Sequence, residues 1–130
     1  MMTKQQHINY WIKSSDDDWE AVSSLKNSNK NLQALFFAHL VLEKICKALW
    51  VRDNELNIPP KTHNLVRLLY QTKLIVDESK LIFLEEFNDF QLEGRYPDYM
   101  FAMAKKCNKI YTDSLLKQVN ILRQWLKEKI

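Results

Sequence analysis

Glycine occurs once in this chain, at Gly94, and proline three times, at Pro59, Pro60 and Pro97. A sheet protein with many tight turns needs far more of both, and so does a long disordered linker. Long helices with few breaks are what remains. Cysteine is equally scarce. Cys46 and Cys107 stand in neither paired nor metal-ligand spacing, and their helical, partly apolar surroundings predict buried free thiols. No apolar run approaches the roughly 18–20 residues that span a membrane. The polar opening Met1–Tyr10 does not read as a signal peptide, so a cytoplasmic protein is expected. There is no Gly-rich phosphate loop and no HExxH, and the only histidines are His7, His39 and His63. Asp16, Asp17, Asp18 and Glu20 cluster in sequence. Neighbouring helix positions diverge by roughly 100°, so they are expected mostly to face solvent, and no metal or other cofactor is expected.

What is present fits one domain over residues 1–130, 46% hydrophobic and 12% aromatic, long enough to bury a real core. The formal charge of +3 is concentrated near the end. Residues 105–130 carry Lys105, Lys106, Lys109, Lys117, Arg123, Lys127 and Lys129 against Asp113 and Glu128. That excess suits an anionic partner, nucleic acid included, and equally a solvated helix face.

Helical periodicity predicts a first helix over about Gln5–Lys26 and a second over about Leu32–Arg52. The second is apolar around more than one stripe and should be the central, most buried helix. Asn54–Lys61 ends it with a stiff Pro59–Pro60 connection. Thr62 is the expected N-cap of a third helix, a fourth segment covers about Asp77–Phe90, and the last helix spans about Ala102–Lys129. The fold class is all-α: an up-and-down bundle of four to five helices.

His39, Glu43 and Lys47 fall at i, i+4 and i+8, a polar ridge on the most apolar helix. Such a ridge either meets solvent in a cleft or answers other polar groups. Lys44, one place further round, either shares the opening or is simply exposed. His63, beside Thr62, is placed to bind an anion with free backbone N–H groups, or to pack against a neighbouring helix. Arg95 and Tyr96, held by Pro97, offer a planar fork and a ring; Arg95 could instead pair with Glu43 or Glu93 while Tyr96 plugs the bundle. His39, Glu43, Lys47, His63 and Arg95 are expected around one cleft that receives a nucleotide phosphate or a partner carboxylate. The rings of Trp11, Trp19, Trp50, Trp125, Phe36 and Phe37 exceed what so short a chain need hide, which predicts a homodimer.

In order and spacing, FFAHLVLEKICKALW (36–50), PPKTHNLVRLL (59–69) and GRYPDY (94–99), with a closing amphipathic helix, resemble the HEPN domain family. The resemblance implies a HEPN-like helical bundle, usually dimeric. It implies either a nucleotide-binding module that partners a minimal nucleotidyltransferase, or a metal-independent ribonuclease of toxin or defence type. The family's pattern falls on His39, Glu43, Lys44, Lys47, Thr62, His63, Arg95, Tyr96 and Pro97. The ribonuclease branches resemble one another in an Arg, a polar residue, three to five others and a His. No His follows Arg52, Arg67, Arg95 or Arg123 at that distance, which weighs against cleavage and for a non-catalytic binding module.

Overall fold

The computed structural model describes residues 1–130 as six α-helices and one 3₁₀ turn, with no strand. Helix α1 (Lys4–Asn27) opens on a reciprocal cap: Thr3 Oγ1 accepts from the Gln6 N–H, and Gln6 Oε1 accepts from the Thr3 N–H. It ends where Asn29 turns left-handed, at φ 59°. The Lys30 N–H then reaches the Leu25 carbonyl and the Asn29 N–H the Lys26 carbonyl, which satisfies two orphan acceptors and reverses the chain. Helix α2 (Asn31–Asp53) therefore runs back antiparallel against α1.

As its composition predicts, α2 is the buried axis of the fold. Ala34, Leu35, Ala38, Val41, Leu42, Ile45, Cys46, Ala48, Leu49 and Val51 have no exposed surface at all. A helix apolar all round has no solvent face to give, so the other elements must cover it on every side. Helix α3 (Leu65–Tyr70), helix α4 (Glu78–Phe87), the 3₁₀ turn Asn88–Phe90, helix α5 (Pro97–Lys106) and helix α6 (Lys109–Glu128) do so. Lys127–Asp16 at 2.7 Å and Lys26–Asp113 at 2.6 Å tie α1 antiparallel to α6. No helix is long and apolar enough to cross a membrane.

Three expectations change. Six helices form where four to five were expected, because the last predicted helix is two. Asn108 breaks it: its side chain accepts from the Tyr111 N–H at 2.9 Å and caps α6, while α5 begins earlier, with Pro97 in its first turn. Thr62 does not cap α3. Asn64 does, accepting from the Arg67 N–H at 3.1 Å, and Thr62 only supports the turn through the Asn64 N–H. Asp18 does not face solvent freely; Lys44 pairs with it at 2.6 Å. Cys46 and Cys107 are both buried free thiols, and burial raises the pKa of each.

Candidate functional site

The centre of the site is Glu43, a carboxylate buried on the most apolar helix. Isolated, such a charge would cost several kcal/mol of desolvation. Two groups answer it, and a third approaches without donating. Lys47 Nζ, one turn on, donates to Oε2 at 2.9 Å, and His63 Nδ1 donates to Oε1 at 2.9 Å from the segment leading into α3. His39 Nδ1 lies 3.9 Å from the same Oε1. The Pro59–Pro60 connection thus brings the α3 start back beside the ridge. The ridge is answered by polar groups, not by an apolar surface.

His39 is fully buried, stacked parallel to Phe87 with ring centroids 6.4 Å apart. Its tautomer follows from backbone donors. Asn88 Oδ1 accepts from the Leu65 N–H at 3.1 Å, so that side of the amide is the oxygen, and Asn88 Nδ2 faces Asn64 Oδ1 at 3.3 Å. The same Asn88 Oδ1 lies 3.2 Å from His39 Nε2, which must therefore carry the proton. Neutral His39 then turns a lone pair at Nδ1 toward the Glu43 oxygen, two acceptors with no proton between them, which is why Nδ1 lacks a partner. Burial lowers the His39 pKa below 6.5, against the smaller raising effects of Asn88 and Glu43.

His63 is the opposite case. Its ring is 45% exposed, its Nδ1–H is held by Glu43, and its Nε2 points outward to within 3.4 Å of Glu93 Oε2. An imidazole oriented at Nδ1 by a buried carboxylate, with Nε2 on the open side beside the exposed Glu93, is placed to carry a proton. At the start of α3 the N–H groups of Asn64, Leu65 and Arg67 are taken by Thr62, Asn88 and Asn64, which leaves few backbone donors there for an anion.

Four of the predicted residues converge: His39, Glu43, Lys47 and His63. Three do not. Lys44 turns to the other side of α2, onto Asp18 and to Ser14 Oγ at 2.7 Å. Arg95 neither closes the cleft nor pairs with a carboxylate; its Nε donates to the Gln91 carbonyl at 3.1 Å and its guanidinium lies 4.3 Å from the centre of the Tyr99 ring. Tyr96 is 81% exposed and plugs nothing. The left-handed Gly94, at φ 76°, turns both outward. Sequence reasoning missed Asn88, the hub of the His39 arrangement, Glu93, and Trp11, whose ring centre lies 5.2 Å from the Lys47 ammonium. No group of three or more His, Cys, Asp or Glu side chains is arranged to hold a metal ion.

The model of the HEPN domain matches residues 8–130. The chain belongs to the HEPN family. No curated protein and no solved structure matches it. Within this HEPN domain the polar cluster sits where α2, the α3 start and the Leu92–Tyr96 loop meet, and half of the His63 ring is open to that side.

Proposed function

We propose that this HEPN domain cleaves single-stranded RNA without a metal ion, with His63 as the proton carrier and Glu43 as the residue that orients it. The observation that carries the reading is the 2.9 Å bond from His63 Nδ1 to the buried Glu43, with Nε2 left outward. In the reaction, Nε2 takes the proton of a ribose 2′-hydroxyl. O2′ forms a bond to phosphorus, the P–O5′ bond breaks, and the leaving O5′ takes a proton from solvent. The products are a 2′,3′-cyclic phosphate and a 5′-hydroxyl. His39 takes no direct part, because it is buried and its Nε2 proton is committed to Asn88. The test is incubation of pure protein with a labelled single-stranded RNA in excess chelator. Cyclic-phosphate ends are expected from the wild type, and a rate at least 10²-fold lower from His63→Ala. Cleavage that needs added divalent metal, or that survives His63→Ala, would overturn the reading.

One observation favours a second reading, a non-catalytic module that binds a nucleotide or a minimal nucleotidyltransferase. No His follows an Arg at the spacing of the ribonuclease branches. The geometry supports it less, since Lys47 is already neutralised by Glu43 and Arg95 lies outside the cluster. In either role we propose a homodimer, for which the exposed Ile82, Ile110 and Ile121 on α4 and α6 supply apolar surface.

A further inference from the structure

Seven lysines and Arg52, of the 19 Lys and Arg side chains in this protein, pair with acids. Lys13, Lys26, Lys44, Lys47, Lys80, Lys109 and Lys127 each form an ion pair with Asp or Glu. Around α5 none of Arg95, Lys105 and Lys106 has an acid partner, and each lies against a ring, as four cations elsewhere in the protein also do. Arg95 lies 4.3 Å from the centre of the Tyr99 ring, Lys105 4.7 Å from that of Phe101, and Lys106 5.4 Å from that of Tyr111. Three of the seven cation–ring contacts in the chain fall between residues 95 and 111.

Of these three rings only Phe101 is open, Tyr99 and Tyr111 being half-buried, and Tyr96 adds a second open ring. Phe101 is 65% exposed and Tyr96 81% exposed, and Met103 is the only buried residue of α5. A helix of 10 residues, about 15 Å long, thus gives its surface to bare rings and unmatched cations instead of to packing. Bases stack on aromatic faces and guanidinium planes, and phosphates are drawn to the adjoining charges. Two open rings among three cations without acid partners suit stacked bases with phosphates between them. The surface also begins at the loop that carries Glu93, which touches His63.

We propose that α5 and its flanks, through Arg95, Tyr96, Phe101, Lys105 and Lys106, form a binding track for single-stranded RNA that leads to His63. The choice of RNA rests on the cleavage reading above, and the track itself is independent of it. Fluorescence anisotropy of a labelled 10-nucleotide single strand, measured with His63→Ala protein so that the strand stays intact, tests the track directly. Three cations predict a slope of log affinity against log salt of about −2. Lys105→Gln with Lys106→Gln should bring that slope to about −1. Phe101→Ala and Tyr96→Ala, both exposed and so safe for folding, should each weaken binding roughly tenfold. A duplex of the same length, whose bases are already stacked, should bind at least tenfold more weakly.

The proposal is overturned by equal affinity for the duplex, or by Phe101→Ala and Tyr96→Ala proteins that bind like the parent. A glutamate-rich peptide bound as tightly through the same residues overturns it in favour of an acidic protein partner. Single-strand binding with these signatures by a wild-type protein that never cleaves RNA leaves the track standing and removes only the catalytic reading. Cleavage and binding both unchanged in the ring variants would do the reverse.

Discussion

Asn88 joins His39 to the start of α3, and Asn88→Ala measures what that joining contributes. The substitution deletes the Oδ1 that accepts from both His39 Nε2–H and the Leu65 N–H. Both donors belong to residues with no exposed surface. A buried donor left without a partner costs about 1–3 kcal/mol. Asn88 itself is only half-buried, so water can enter the vacated space and the lower part of the range applies. The sum is about 2–4 kcal/mol. For a chain of this length each kcal/mol moves the melting midpoint by about 3–5 °C, which predicts a fall of roughly 6–20 °C by circular dichroism or calorimetry. Asn88→Asp is the control. It keeps the accepting oxygens and loses only the donation to Asn64, so at neutral pH it should lose less than half as much as the Ala variant. An Ala variant that melts within about 2 °C of the parent would refute the hub. So would an Asp variant that falls as far as Ala, because the cause would then not be the accepting oxygen.

Other expectations follow from the same geometry. Burial lowers the His39 pKa below 6.5, so the unfolded chain binds the extra proton first and stability is complete only above that pH. Urea unfolding at successive pH values should show stability falling below about pH 6.5, with a contribution of up to about 1.4 kcal/mol per pH unit from this one proton. That contribution should vanish in His39→Gln and shrink in Asn88→Asp, whose carboxylate would hold the imidazolium; an unchanged acid limb in both variants would refute the assignment. Lys47→Ala should destabilise by about 3 kcal/mol, more than Glu43→Gln, since it strands a buried carboxylate while a stranded Lys47 can reach water. The double variant should lose less than the sum of the singles, and strict additivity in denaturant melts would argue against the pair. Asn108→Ala should cost about 1 kcal/mol through the lost cap on α6, and no change in melting would mean that the α5–α6 break has another cause.

The parts legible in the sequence are those set by local spacing. The ridge His39, Glu43, Lys47 follows from helix periodicity, and so does the central position of α2, because a helix apolar around its circumference has nowhere else to go. The α5–α6 break was hidden because Lys105–Ile110 contains neither glycine nor proline. Asn108 interrupts the helix through a side-chain bond to the Tyr111 N–H, a competition that periodicity does not register. Asn88 was invisible for a different reason. Its partners lie 49 and 23 positions away, and one of them is a backbone N–H that no residue type announces. Arg95 was misplaced because its reach was legible and the direction of its loop was not; Gly94 turns it onto Tyr99 and away from Glu43.

What ties these cases together is the cost of Glu43. A carboxylate on the most buried helix is tolerable only with donors from its own helix and from elsewhere in the fold, and the fold supplies Lys47 from the first and His63 from the second. His39 could not be a further donor without a second proton. Held as a neutral ring by Asn88, it leaves the Glu43 oxygen free to fix His63, and so separates a buried histidine that shapes the site from a half-exposed one able to exchange protons with solvent.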